Sequence, residues 1–362
     1  MKRYFNTYSL KNGLIISLFL SLPLYFIHFG FDNKFMNSLF IFIGLIYFYK
    51  TDIKVYPFIG FFTSILWLWW ISLSFRYYDL NFIIPFVIIS IGLFYGIIFY
   101  LLTFLRYKIL IIIFFIFGLQ FIKPFGFDWF RYDVLFPHTY FYISNSPILP
   151  APLKIKTVNT TIPQQDKWKK QFIPTEINNN IKSINQAIQN KFDIVILPET
   201  AFPLPLNKYP NILQKLQYLS QNITIITGAL NYQNNKYYNS TYLFQNGKIK
   251  IFNKHILVPF GEYIPIPCCK NFFNKIFFNG AQDYIPAKNF SSYKIKNIEF
   301  LNAICYEVTN ENLYKQNPKY IIAISNNAWF YPSIENTLQK LLIQFYSNKY
   351  QKYVYHSINK GK

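Results

Sequence analysis

Three residues of different chemistry each close a run of apolar, β-type residues. Glu199 follows Ile194-Val195-Ile196-Leu197 with only Pro198 between. Lys254 follows Lys248–Phe252 after Asn253. Cys305 directly follows Phe300-Leu301-Asn302-Ala303-Ile304. In α/β sheets, chemistry gathers beyond the strand ends, so these three can converge although they lie far apart in the chain. A carboxylate, an ammonium and a thiol suffice for acyl transfer. The carboxylate takes the thiol proton, the thiolate attacks a carbonyl carbon, and the ammonium neutralises the developing oxyanion. Positive charge beside a cysteine favours its thiolate, and Lys254 can supply that charge. Taken singly each residue has a plainer reading: a solvated carboxylate, a surface lysine, a cysteine packed in a core.

The elements around them fall into two textures. Up to about residue 123 the chain is a series of apolar blocks with short charged punctuation: Asn12–Phe29, Phe35–Tyr49, Val55–Phe75, Phe82–Leu105 and Ile109–Ile122. Most approach the roughly 20 apolar residues that cross a bilayer, the second being short. Pro23, Gly44, Gly60, Pro85, Gly92 and Gly96 sit inside them, which membrane helices tolerate. Block follows block with no small-residue cleavage site, so the first is read as an anchor rather than a signal peptide. Lys2, Arg3 and Lys11, then Lys50 and Lys54, then Arg106 and Lys108 alternate with loops where Lys34 and Arg76 are offset by Asp32 and Asp79. The positive-inside rule then places everything after residue 123 outside the cytoplasm. Residues 124–150, with Pro124, Pro137, Pro147 and Pro150, read as an interfacial linker whose Trp129, Tyr132, Tyr140 and Tyr142 suit an aromatic belt.

From residue 151 short β-like runs alternate with helical spacing. Ile155–Asn159, Asp193–Leu197, Ile223–Gly228, Glu299–Ile304 and Tyr320–Ser325 are expected strands. Tyr237–Phe244 and Lys248–Phe252 form a hairpin across Gln245-Asn246-Gly247, and Thr175–Asn190 carries a helix face through Ile177, Ile181, Ile184 and Ile188. The expected domains are therefore 1–123, a multispan transmembrane helical domain; 124–150, the linker; and 151–362, an α/β catalytic domain.

Composition agrees with a membrane protein. Hydrophobic residues make up 52 %, aromatics 22 % and charged residues 14 %, too apolar for a disordered chain and too poor in charge for an ordinary soluble enzyme. The net charge of +21 does not signal nucleic acid: Lys, Asn, Ile, Tyr and Phe are inflated together and no compact basic run stands out. Three cysteines (Cys268, Cys269, Cys305) are too few for a disulfide scaffold. The histidines (His28, His138, His255, His356) are dispersed without metal-ligand spacing, and there is no Gly-rich phosphate loop. Neither a metal nor a cofactor is expected.

Leu197-Pro198-Glu199-Thr200, the block Phe252-Asn253-Lys254-His255-Ile256-Leu257-Val258-Pro259-Phe260-Gly261-Glu262-Tyr263-Ile264-Pro265 and Ile304-Cys305-Tyr306-Glu307 resemble the triad motifs of the nitrilase (carbon–nitrogen hydrolase) superfamily. The long lysine block and the multispan N-terminus resemble specifically the apolipoprotein N-acyltransferase family. Ile324-Ser325-Asn326-Asn327-Ala328-Trp329-Phe330 matches a further block, and Trp168 lies where that family has a Trp near the substrate entrance. The resemblance implies an N-terminal transmembrane helical bundle and an extracytoplasmic αββα nitrilase-like sandwich. It implies Glu199 as general base, Lys254 as oxyanion stabiliser and Cys305 as nucleophile, with Glu262 orienting Lys254 and Glu307 supporting the site. It also implies a ping-pong reaction: acyl transfer from a membrane phospholipid to Cys305 as a thioester, then to the α-amine of a diacylglyceryl-cysteine apolipoprotein. The enzyme would be a monomer of the bacterial inner membrane facing the periplasm. No nucleotide or metal is needed, because ester to thioester to amide runs downhill.

Several neighbours carry two readings each. His255 either tunes the site or is a satisfied polar neighbour. Tyr306 shapes an acyl pocket or packs. Cys268 and Cys269 pair with each other, pair with another thiol, or are incidental. The segment Cys268–Gly280, with Phe272, Phe273, Ile276, Phe277 and Phe278, is a lipid-dipping lid or part of the core. The chain stops at His356-Ser357-Ile358-Asn359-Lys360-Gly361-Lys362, where the family continues with closing strands and a last membrane helix. Asn327 and Tyr331 stand where Asp and Gly are common. A membrane-anchored amidase, or an inactive truncated relative, would share most of these features.

Overall fold

The computed structural model describes residues 6–142, 147–267, 270–277 and 283–362. The chain divides into two compact units, Met1–Ser146 with Ser333–Phe345, and Pro147–Pro332 with Tyr346–Lys362.

The first unit is helical: α1 (Thr7–His28), α2 (Lys34–Lys50), α3 (Tyr56–Leu68), α4 (Ile84–Leu102) and α5 (Lys108–Ile113). Asn6 and Asn33 cap α1 and α2 by accepting backbone N–H groups with their side chains. With the tighter turns at their ends, α3 and α4 belong to continuous helical stretches Ile53–Tyr78 and Asn81–Leu105. These two and α1 are long and apolar enough to cross a membrane. The other two expected spans are shorter: α2 has 17 residues, about 26 Å of helix at 1.5 Å per residue, and Lys108–Phe121 is shorter still.

Small and hydroxylic residues let α1 and α3 approach closely. A Cβ on Gly13 would lie 2.4 Å from Phe58 Cβ. Ser17 Oγ donates to the Ile59 carbonyl, Thr63 Oγ1 to Ser17, and Trp67 Nε1 to Ser21, satisfying polar groups that lipid could not. Leu14, Leu18, Phe42, Phe86, Leu93 and Ile97 stay exposed on the outside. Such a girdle of exposed apolar side chains suits a lipid-facing surface. Trp129 and Tyr132, expected in an interfacial belt, are instead buried. Trp129 packs on Trp70 at 5.1 Å, and Tyr132 lies against Phe115 and donates its hydroxyl to the Leu20 carbonyl. Tyr140 remains exposed.

The second unit is α/β: β1 (Ile155–Thr157), α6 (Gln164–Lys167), α7 (Ile173–Gln189), β2 (Ile194–Ile196), β3 (Phe202–Pro205), α8 (Pro210–Leu219), β4 (Thr224–Gln233), β5 (Lys236–Gln245), β6 (Lys248–Asn253), α9 (Lys270–Phe277), β7 (Ser292–Ile295), β8 (Ile298–Ile304), α10 (Glu311–Tyr314), β9 (Tyr320–Asn326) and, after α11 (Glu335–Tyr350), most of which belongs to the first unit, β10 (Tyr353–Asn359). One sheet runs β1-β2-β4-β5-β6 with β3 also on β4, and the other runs β10-β9-β8-β7. Ile194, Ile196, Ile226 and Leu243 of the first sheet share a core with Phe300, Ile304, Ile322 and Ile324 of the second. The other face of the first sheet packs Val195, Leu197, Ile225 and Phe244 against Ile181 and Ile184 of α7 and Leu216 of α8. These layers form the nitrilase-like sandwich.

The β5–β6 hairpin turns on Asn246-Gly247, both with positive φ, as that dipeptide favours. The closing residues, in which sequence reading found no strand, form β10 parallel to β9 over its whole length. β3 and β7 were also missed: β3 holds two prolines and β7 only four residues. The expected lid is described only across Lys270–Phe277, where it is helical with Phe272 exposed. Cys268, Cys269 and Phe278 lie outside the described residues.

Candidate active site

The three chemically capable residues sit just past the ends of β2, β6 and β8, two from one sheet and one from the other. Past β2, the chain turns sharply through Pro198-Glu199-Thr200, with Thr200 at φ 48°. β4 passes immediately beneath that turn. A Cβ on Gly228 would lie 2.6 Å from Glu199 Cα, and Gly228 N–H donates to the Pro198 carbonyl. Only glycine permits this approach.

Glu199 is 6 % exposed. Its Oε1 accepts from Asn239 Nδ2 at 2.7 Å, and its Oε2 from the Asn326 backbone N–H at 2.8 Å. Burial pushes its carboxyl above the usual glutamate range, opposed by the Lys254 ammonium and these two donors and reinforced by Glu262.

Lys254 is 1 % exposed. Its backbone N–H donates to the Asn239 carbonyl, so the step out of β6 is tied to the same residue whose side chain holds Glu199. Its Nζ lies 2.8 Å from Glu262 Oε2. Glu262 is folded back toward it by a tight turn, in which Val258 O accepts the N–H groups of Gly261 and Glu262 while Val258 N–H donates to Glu262 Oε2. Burial alone would depress the Lys254 ammonium. Glu262, Cys305 and Glu199 together hold it above its ordinary value, so it stays charged.

Cys305 follows β8 with φ 54°, a left-handed conformation that a side-chain-bearing residue adopts at a cost and that recurs where a nucleophile is thrust out of a strand. Glu307 holds that corner. Its Oε2 accepts the Ile304 N–H at 2.7 Å, and its Oε1 accepts those of His255 at 2.6 Å and Ile256 at 3.1 Å. One buried carboxylate thus joins the residue before Cys305 to the residue after Lys254. His255 itself directs Nδ1 to the Ala287 carbonyl at 2.7 Å, the satisfied-neighbour arrangement. Tyr306 is buried, whereas Trp168, at the end of α6, is 39 % exposed.

Sequence reading missed Asn239 and left Asn326 without a role. Asn239 donates to both Glu199 and Glu262 at 2.7 Å. Its signal was a single amide inside the otherwise buried-type run Tyr237–Phe244. Asn326 is steadied by Gln164 and by Asn359, which makes four hydrogen bonds to Thr160, Ile162 and Asn326. Among the described residues no group of acidic, histidine and cysteine side chains is arranged to hold a metal. The cluster can therefore offer a buried base, a fixed cation and a thiol within the cation's field.

Residues 7–169 match the apolipoprotein N-acyltransferase integral membrane domain, and residues 170–362 match the carbon–nitrogen hydrolase domain. The apolipoprotein N-acyltransferase of Wolinella succinogenes is 35 % identical over 99 % of this chain and 95 % of its own length. The chain belongs to the apolipoprotein N-acyltransferase family. The family members from Campylobacter jejuni and Helicobacter pylori are 38 % and 34 % identical, over 99 % and 90 % of this chain and 87 % and 86 % of theirs. Among solved structures, Saccharomyces cerevisiae Nit3 of the nitrilase superfamily is 18 % identical, with a TM-score of 0.43 over 60 % of this chain and 79 % of its own. Membership makes the chain a membrane protein and an acyltransferase, built from a helical membrane domain and a nitrilase-like catalytic domain.

Proposed function

We propose that this chain moves an acyl group from a membrane phospholipid to Cys305, and from there to the N-terminal α-amine of a diacylglyceryl-cysteine apolipoprotein. The observation that carries the reading is the linked set Glu199–Asn239–Glu262–Lys254, buried except for the half-buried Glu262, with the Lys254 ammonium acting electrostatically on Cys305.

Glu199 takes the proton from Cys305 Sγ, and the thiolate attacks the ester carbonyl carbon of the phospholipid. Lys254, held by Glu262, neutralises the oxyanion. The intermediate collapses by breaking the ester C–O bond. The departing lysophospholipid oxygen takes the proton from Glu199, leaving a thioester. The acceptor amine then attacks that thioester, its excess proton passes to Glu199, and the C–S bond breaks. The thiolate leaves and is reprotonated from Glu199, and the amide is complete.

Both substrates carry acyl chains, so an enzyme anchored in the bilayer avoids drawing those chains through water. The alternating loop charge supports a catalytic unit on the periplasmic face of the bacterial inner membrane, and one chain carries the whole residue set, which supports a monomer.

The test incubates detergent-solubilised protein with phospholipid and a synthetic diacylated lipopeptide. The expected result by mass spectrometry is a peptide heavier by one acyl group, with no gain for Cys305→Ser. Acylation that survives Cys305→Ser, or release of free fatty acid only, would overturn the reading. A cysteine placed at Asn234, in the turn between β4 and β5, should react with an impermeant thiol reagent from outside intact spheroplasts; protection there would overturn the orientation.

A further inference from the structure

Beside the residues just described lies a second buried cation that the reaction scheme does not use. Lys167 ends the short helix α6, immediately before Trp168. It is 0 % exposed, and its Nζ finds no hydrogen-bond acceptor among the described residues. An ammonium in that position is costly unless charge compensates it. Two carboxylates do so: Lys167 interacts electrostatically with Glu176 and with Glu199. Glu176, in the first turn of α7, is likewise buried, and neither of its oxygens receives a hydrogen bond among the described residues.

The segment bearing Lys167 is tied to the support of Glu199. Gln164, one turn earlier, accepts from Asn326 Nδ2 at 2.9 Å, and the Asn326 backbone N–H is a donor to Glu199. Lys254 cannot by itself balance this pocket. Its charge is engaged by Glu262 at 2.8 Å, while Glu199 and Glu307 are also buried carboxylates. We propose that Lys167 is a positioning residue for Glu199: its buried ammonium holds that carboxylate in the ionised state able to accept a proton. The proposal rests on the reading of Glu199 as the base.

The groups acting on Glu199 are Lys254, Glu262 and the two donors from Asn239 and Asn326; those acting on Lys167 are Glu176 and, more weakly, Glu199; those acting on Glu176 are Lys167 and Asp166. Burial lowers the Lys167 ammonium to about 8 and raises the Glu176 carboxyl to about 7. When Glu176 takes up a proton on the acid side of neutrality, the Lys167 charge is left uncompensated and acts more fully on Glu199.

The experiment compares full-length Lys167→Met, Lys167→Arg and Glu176→Gln proteins in detergent. One readout is the pH dependence of Cys305 alkylation by iodoacetamide, followed on the Cys305 peptide by mass spectrometry, which needs no lipid substrate. The other is the pH profile of acyl transfer. Lys167→Met is expected to move the acid limb of both profiles upward by about one pH unit, so that rates on that limb fall by up to about tenfold and the loss shrinks as pH rises. Lys167→Arg should restore the limb, and Glu176→Gln should leave it in place or move it lower. If Lys167→Met does not fold, the double variant Lys167→Met/Glu176→Gln, which removes both charges, should show the same upward shift. An equal loss at all pH values, an unmoved limb, or no rescue by arginine would overturn the proposal. A shifted alkylation profile in a protein that transfers no acyl group would support it while defeating the functional reading.

Discussion

Glu199 and Glu262 are joined through one amide: Asn239 Nδ2 is 2.7 Å from an oxygen of each. One carboxylate is the proposed base, and the other grips the ammonium of Lys254. A buried carboxylate and a half-buried one are held in register by a shared donor, and the ammonium paired with one lies within the field of the other. Removing the amide leaves both carboxylates short of a donor. Hydrogen bonds to charged groups contribute about 1.5–3 kcal/mol. Asn239→Ala should therefore lower kcat by roughly ten- to a hundredfold while the protein still extracts and purifies as a monodisperse species. Steady-state acyl transfer checks this, and a rate within twofold of the parent would contradict it.

Gly228 is the floor under Glu199. A methyl group there would meet Glu199 Cα and Thr200 N at 2.6 Å, both backbone atoms without a side chain's freedom to rotate away. Gly228→Ala should destabilise the catalytic unit by about 1–3 kcal/mol. It should also lower kcat more than KM, because the strand floor pushes the carboxylate rather than a substrate-binding surface. Thermal unfolding in detergent and kinetics on the same preparation test both parts.

Glu307 braces two segments at once. A glutamine keeps one oxygen but sets an N–H₂ against either the Ile304 N–H or the His255 and Ile256 N–H groups. Glu307→Gln should accordingly cut activity by at least tenfold, of the order expected for about 1.5–3 kcal/mol of lost charged hydrogen bonding. Cys305 alkylation at pH 7 should slow in parallel, since the nucleophile's corner loses its brace. Full alkylation with lost turnover would place the defect elsewhere.

The pH profile follows from the sign of the shift on Glu199. Its carboxyl is raised by burial, so as pH falls it takes up a proton earlier than an ordinary glutamate and ceases to act as a base. Initial rates of acyl transfer at limiting donor concentration should therefore decline on the acid side with a midpoint above about 4.3, the usual glutamate value. Rates flat down to that value would exclude Glu199 as the group that titrates.

Asn359 links the chain's last strand to the site. It is fully buried and makes four hydrogen bonds, one of them to the side chain of Asn326, whose backbone holds Glu199. Asn359→Ala should lower the apparent Tm by several degrees, as expected when buried partners are left unpaired at about 1–3 kcal/mol. Differential scanning fluorimetry with a thiol-independent dye gives the comparison.

The sequence by itself determined the fold class, the membrane character and the identities of Glu199, Lys254 and Cys305 as residues closing strands. Long apolar blocks and period-two or continuous apolar runs are local signals, and the fourteen-residue block around Lys254 is specific in its own right. Tertiary structure alone decided that Trp129 and Tyr132 are buried rather than interfacial. It also showed that the last residues form a strand. Periodicity cannot foresee such outcomes, because they depend on which partner surface covers each residue. The same holds for Asn239, Asn326, Lys167 and Glu176. A polar side chain in a buried run is ambiguous until the fold shows whether another charge lies across from it, since desolvation and pairing act through space and leave no spacing in the chain.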